Sequence, residues 1–96
     1  MLFLHEYLAS GGAMNQTVQT ITQLRGTVEN LEKRKTLIQK KIENEVAQAR
    51  TKIKAGKKKE AMINMKRKKM YEKELEKLEG AQMSLETQVM TLESAQ

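Results

Sequence analysis

The chain has 96 residues, with 18 Lys or Arg against 12 acids, a formal net charge of +6, one His, no Cys and no Pro. Its only aromatic residues are Phe3, Tyr7 and Tyr71, and every acid is Glu. This excludes a disulfide framework or thiolate metal site, argues against a mixed globular core, and suits long solvated helices.

Residues 1–13 form an apolar leader. Met1, Leu2, Phe3, Leu4, Tyr7 and Leu8 precede a Ser10-Gly11-Gly12 break. The leader lacks the basic flank and length of a signal peptide, and no apolar run is long enough to span a bilayer. It reads as a shallow membrane anchor built on Leu2, Phe3, Leu4 and Leu8, or as a remnant with no structural role. Together with the missing cysteines, this predicts a cytoplasmic protein, at most peripheral to a membrane.

A first helix is predicted over about 15–53. Ile21, Leu24, Val28, Leu31, Ile38 and Ile42 recur at alternating steps of three and four, with Lys35 in the one gap. That is the heptad seam of a coiled coil. The apolar residues then fall at Val46, Ala49 and Ile53, one step late, so a stutter is expected there. Lys54-Ala55-Gly56-Lys57 breaks the pattern, and Gly56 suits the left-handed position past a helix end. A second helix is predicted over about 58–94, with Tyr71, Leu75, Leu78, Gln82, Leu85, Val89 and Leu92 on its seam.

Folding back at Gly56 brings the seams into register. Ile42 meets Tyr71, Ile38 meets Leu75, Lys35 meets Leu78 and Leu31 meets Gln82. Val28 then meets Leu85, Leu24 meets Val89 and Ile21 meets Leu92. Nearer the turn, Val46, Ala49 and Ile53 are expected to face Ala61, Met62 and Met65. The predicted fold is all-α, a long antiparallel two-helix hairpin over 14–96 with arms of roughly 55–60 Å at 1.5 Å per residue. Such a hairpin has no pocket of its own and gains stability by packing on something else.

No catalytic constellation is visible. His5, the only histidine, sits in the apolar leader of a chain with no Cys or Asp to partner it, and no Gly-rich phosphate loop exists. The chain reads as a non-enzyme with no cofactor, metal or small-molecule substrate.

Three features are left to carry function. The first is a basic block of Arg50, Lys52, Lys54, Lys57, Lys58, Lys59, Lys66, Arg67, Lys68, Lys69 and Lys73. From Arg50 to Lys73 only Glu60 and Glu72 oppose these 11 bases, a local net of +9. A lysine run is ordinarily a solvated helix surface, but this one repels itself, and an anionic surface would relieve it. Membrane-binding residues are therefore expected here. Nucleic-acid phosphates are the rival surface, disfavoured because the one nearby aromatic, Tyr71, falls on the seam. The second feature is the leader. The third is an acidic edge, Glu72, Glu79, Glu86 and Glu93, spaced every seven residues on the second helix. It is expected to contact a neighbouring subunit, with Lys33, Arg34, Lys40 and Lys41, and the lysines of the tip, as candidate partner bases. A heterologous contact of that kind does not close and builds filaments.

The order of these segments resembles a known family. Leu24-Arg25 through Glu29, Leu31-Glu32-Lys33-Arg34-Lys35 and the stretch Lys40 to Arg50 resemble the core hairpin of the charged multivesicular body proteins, the ESCRT-III subunits. So do Lys66 to Leu75, Glu79-Gly80 and the closing Leu92-Glu93-Ser94-Ala95-Gln96. The likeness covers about residues 18–96 and is greatest to the family's main filament-forming type. It implies a peripheral protein that polymerises with itself and other ESCRT-III subunits on the cytosolic face of endosomal and other membranes. It also implies recycling by a AAA ATPase through regions beyond those present here. Family members continue with further helices and an acidic autoinhibitory tail, so the chain is expected to be a core fragment or a short member. The alternative reading of the residues is a basic coiled-coil module that binds nucleic acid or a protein partner.

Overall fold

The computed structural model describes residues 12–95, with side chains from Gln16 onward. The leader residues Leu2, Phe3, Leu4 and Leu8, and Ser10-Gly11, lie outside the described residues. Two helices account for the rest: α1, Gly12–Lys54, and α2, Lys58–Ser94. They fold back on each other into a rod of 69 × 17 × 16 Å. The expected all-α hairpin is the observed one. Its first helix begins at Gly12 rather than near residue 15, so Gly12 belongs to α1 and not to a break before it.

The turn follows from Gly56. Its φ is +75°, in the region where a Cβ would strain the backbone. The Gly56 N–H donates to Ile53 O at 3.0 Å and the Lys57 N–H donates to Lys52 O at 2.8 Å. Those two bonds close the last turn of α1 as a Schellman motif, satisfying carbonyls a helix end leaves open. Lys52 and Lys54 lie in that last turn, where the helix dipole favours cations. Gly26 and Gly80 are different, since open space surrounds the position of an added Cβ at both. Nothing in the hairpin explains them.

The seam is a single apolar stripe on each helix. Ile21, Ile38, Leu78 and Val89 are buried, and Leu24, Val28, Leu31, Ile42, Tyr71, Leu75, Leu85 and Leu92 are half-buried. Cross-helix contacts agree with the expected register. Gln82 Nε2 donates to Glu32 Oε2 at 2.7 Å, beside the Leu31 layer. Arg25 pairs with Glu93, and the Lys41 ammonium lies 5.7 Å from the centre of the Tyr71 ring. The surface pairs add little, since exposed ion pairs contribute about 0–1 kcal/mol.

Toward the turn the structure corrects the sequence reading. There is no stutter. After Ile42 the alternating steps continue through Glu45, Ala49 and Lys52, and on α2 they run back through Lys68, Asn64 and Ala61. Ala49 and Ala61 are buried as expected. Ile53, Met62 and Met65 are exposed, and Val46 lies half-buried beside the seam. The expectation followed the apolar residues off the heptad, whereas the helices kept the heptad and buried polar residues on it. Those residues satisfy one another. Asn64, fully buried, donates through Nδ2 to Glu45 Oε1 at 2.7 Å and to Gln48 Oε1 at 3.0 Å. Its Oδ1 accepts from Lys52 Nζ at 2.7 Å. Holding the heptad keeps one crossing angle along the rod, and a complete hydrogen-bond set removes most of the cost of burying polar groups.

Candidate functional site

Heptad geometry sorts the basic block into three groups. Lys52 and Lys68 occupy seam positions and are half-buried, Lys52 on Asn64 and Lys68 within 3.9 Å of Glu72. Lys57 and Arg67 hold carboxylate partners, Lys57 with Glu60 at 4.0 Å and Arg67 with Glu45 at 3.8 Å. The remaining seven are exposed: Arg50, Lys54, Lys58, Lys59, Lys66, Lys69 and Lys73. None of these seven makes an ion pair among the described residues. All lie within about five helical turns of Gly56, so uncompensated positive charge is gathered in the half of the rod nearer the turn.

The four edge glutamates of α2, Glu72, Glu79, Glu86 and Glu93, share one flank, since seven residues return a coiled-coil helix to the same face. They are not equivalent. Glu93 is taken up by Arg25 and Glu72 by Lys68. Glu79 and Glu86 make no ion pair among the described residues, and the register that pairs Arg25 with Glu93 puts Glu32 of α1 opposite Glu86. The Glu32 carboxyl is held below its ordinary range, first by the hydrogen bond from Gln82 and then by the Lys35 ammonium at 3.6 Å. It therefore stays ionised, and the flank is acidic over its middle.

The proposed partner bases also separate. Arg34 lies 3.9 Å from Glu74 and Lys41 lies over Tyr71, so both have partners inside the hairpin. Lys33 and Lys40 are exposed. They lie seven residues apart on the outer ridge of α1 and point away from α2. An acidic flank on one side of a rod and a basic ridge on its back cannot meet within one molecule. They can meet between two.

Sequence reasoning missed Glu45 and Asn64, which hold the tip end of the hairpin together. The signal was present: the three-four spacing continues through both if polar residues are allowed to count. It also missed that Ile53, Met62 and Met65 are exposed beside the free cations. Among the described residues, no group of His, Cys, Asp and Glu could hold a metal ion, and no helix is long and apolar enough to cross a membrane.

Comparison with known proteins agrees with this architecture. The family model described as Snf7 matches residues 19–96. Charged multivesicular body protein 4 of Dictyostelium discoideum is 37% identical over 79 residues, covering 82% of this chain and 37% of that protein. Vacuolar protein sorting-associated protein 32 homolog 1 of Arabidopsis thaliana is 32% identical over 94 residues, covering 98% of this chain and 44% of that protein. Charged multivesicular body protein 4b of Danio rerio is 38% identical over 85 residues, covering 88% of this chain and 38% of that protein. The chain thus spans less than half the length of these curated relatives. No solved structure matches it.

Proposed function

The chain belongs to the Snf7 family, and from that premise we propose that it is a polymerising, membrane-remodelling subunit of the ESCRT-III type. It binds anionic membrane surfaces through the tip of its hairpin and assembles into filaments that support budding and scission. The observation that carries this reading is the division of charge in the rod. Seven unpaired cations crowd one end, while Glu79 and Glu86 lie unpaired on a separate flank. Lipid phosphates near such a tip gain roughly 1 kcal/mol per Lys or Arg. The acidic flank is then left for Lys33 and Lys40 of a neighbouring copy or of another ESCRT-III subunit.

In this reading the protein is structural, not an enzyme, and carries no cofactor. Any ATP chemistry belongs to a AAA ATPase partner acting on the assembled polymer. The names of its relatives point to multivesicular bodies and vacuolar sorting, so the site of action we propose is the cytosolic face of endosomal membranes, with the protein peripheral to them.

Vesicle co-sedimentation tests the membrane contact. With phosphatidylserine in the vesicles, the 96-residue chain is expected to pellet, and a Lys58→Glu/Lys66→Glu/Lys69→Glu variant to lose at least tenfold in affinity with helicity unchanged. These three lysines are exposed and off the seam, so folding does not confound the result. Equal pelleting of the variant, or strong nucleic-acid binding without lipid binding, contradicts the reading.

A further inference from the structure

The flank that carries the Arg25–Glu93 pair changes character along the rod. Arg25 and Glu93 sit on matching heptad positions of the two helices. Four heptads nearer the turn, the equivalent positions are Ile53 and Met65. Met62 lies one helical turn before Met65 on the same face. All three are exposed, at 57%, 38% and 59% for Ile53, Met65 and Met62. Helix geometry puts Arg50 one turn before Ile53, Lys58 one turn before Met62 and Lys69 one turn after Met65. All three cations are exposed, without an ion-pair partner among the described residues. Farther along the same flank lie Glu79 and Glu86.

We propose that this face of the tip enters the lipid surface itself, with Ile53, Met62 and Met65 reaching the acyl boundary while Arg50, Lys58 and Lys69 hold anionic headgroups. The proposal rests on the membrane reading above and deepens it from surface attraction to insertion. Apolar side chains ringed by uncompensated cations match the two layers of a lipid interface, apolar beneath and anionic above. Flexible methionines adapt to an irregular apolar medium at little packing cost. A nucleic acid would answer the cations and leave the three aliphatic groups wet. The acidic stretch of the same flank is repelled by anionic headgroups, so the rod meets the surface tip first and tilted rather than lying flat.

Single-site labelling tests this cleanly, because the chain has no cysteine of its own. An environment-sensitive nitrobenzoxadiazole probe is placed on the full chain at Met62→Cys or Met65→Cys, with Met83→Cys and Met90→Cys as exposed controls nearer the open end. With phosphatidylserine vesicles, the tip probes are expected to shift to the blue and to be quenched by brominated acyl chains. The controls are expected to stay unchanged. An Ile53→Ser/Met62→Ser/Met65→Ser variant is expected to lose about tenfold in vesicle affinity without loss of helicity.

If the protein pellets with vesicles while the tip probes report water, insertion is overturned and the electrostatic reading stands. If nothing pellets, both fall. A blue shift that appears without vesicles and grows with protein concentration assigns the patch to a second copy and overturns insertion. Equal shifts at both ends overturn the tip-first orientation.

Discussion

Gln82 occupies a seam position with its Oε1 buried and unpartnered, the one such side-chain atom among the described residues. Its Nε2 is spent on Glu32. A buried acceptor without a donor costs about 1–3 kcal/mol. Gln82→Leu is therefore expected to raise stability by about 1 kcal/mol at neutral pH, read from thermal melts. It should also move the Glu32 titration upward toward the ordinary carboxylate range, read by NMR. The sign follows from the direction of the shift. Glu32 is depressed in the folded state, so its contribution is present above its unfolded pKa and lost as pH falls through the folded one. Removing the Gln82 bond should flatten that acid dependence. A less stable variant, or an unmoved Glu32, would contradict this account of the layer.

At the scale of the helices, the tip half of the seam is held by hydrogen bonds where the open half is held by aliphatic packing. Asn64 alone bridges Glu45, Gln48 and Lys52. Asn64→Leu is expected to destabilise the hairpin by about 1–3 kcal/mol, because the buried Glu45 carboxylate loses its hydrogen bond and keeps only Arg67 at 3.8 Å. Glu45→Leu together with Asn64→Leu should recover part of that loss in urea unfolding, since the buried carboxylate is gone while Gln48, Lys52 and Arg67, none of them buried, can turn to water. Additive losses would show that the two residues do not act as one unit. This is also where the sequence was hardest to read. Periodicity of Ile, Leu and Val made the open half legible layer by layer, from Ile21 on Leu92 to Ile42 on Tyr71. It failed from Glu45 onward because a seam made of polar residues carries no hydropathy signal. The apolar residues Ile53, Met62 and Met65, which looked like its continuation, stand outside it. The turn was legible because Gly56 answers a backbone requirement that no neighbour can disguise. The charge at the tip was visible as composition, but which lysines are free depends on partners far away in sequence, such as Glu45 for Arg67.

The described hairpin is a rod whose tip and flanks differ in chemistry, and in the function proposed above that difference is the basis for assembly on a surface. The tip is positive and partly apolar, the middle of one flank is negative, and the outer ridge of α1 is positive again at Lys33 and Lys40. Contacts between unlike patches on different copies run head to tail, and they extend into filaments when the rotation from copy to copy does not close a ring. A surface that gathers the tips also raises the local concentration of flanks and ridges, coupling membrane binding to polymerisation. Electron microscopy of the 96-residue chain with phosphatidylserine vesicles, wild type beside Glu79→Lys/Glu86→Lys, reads both steps together. Filaments that coat and deform the vesicles are expected for the wild type, and for the variant bound protein without filaments. Bare vesicles with the wild type, or unchanged filaments with the variant, would contradict the division of the rod into a membrane-binding tip and a subunit-binding flank.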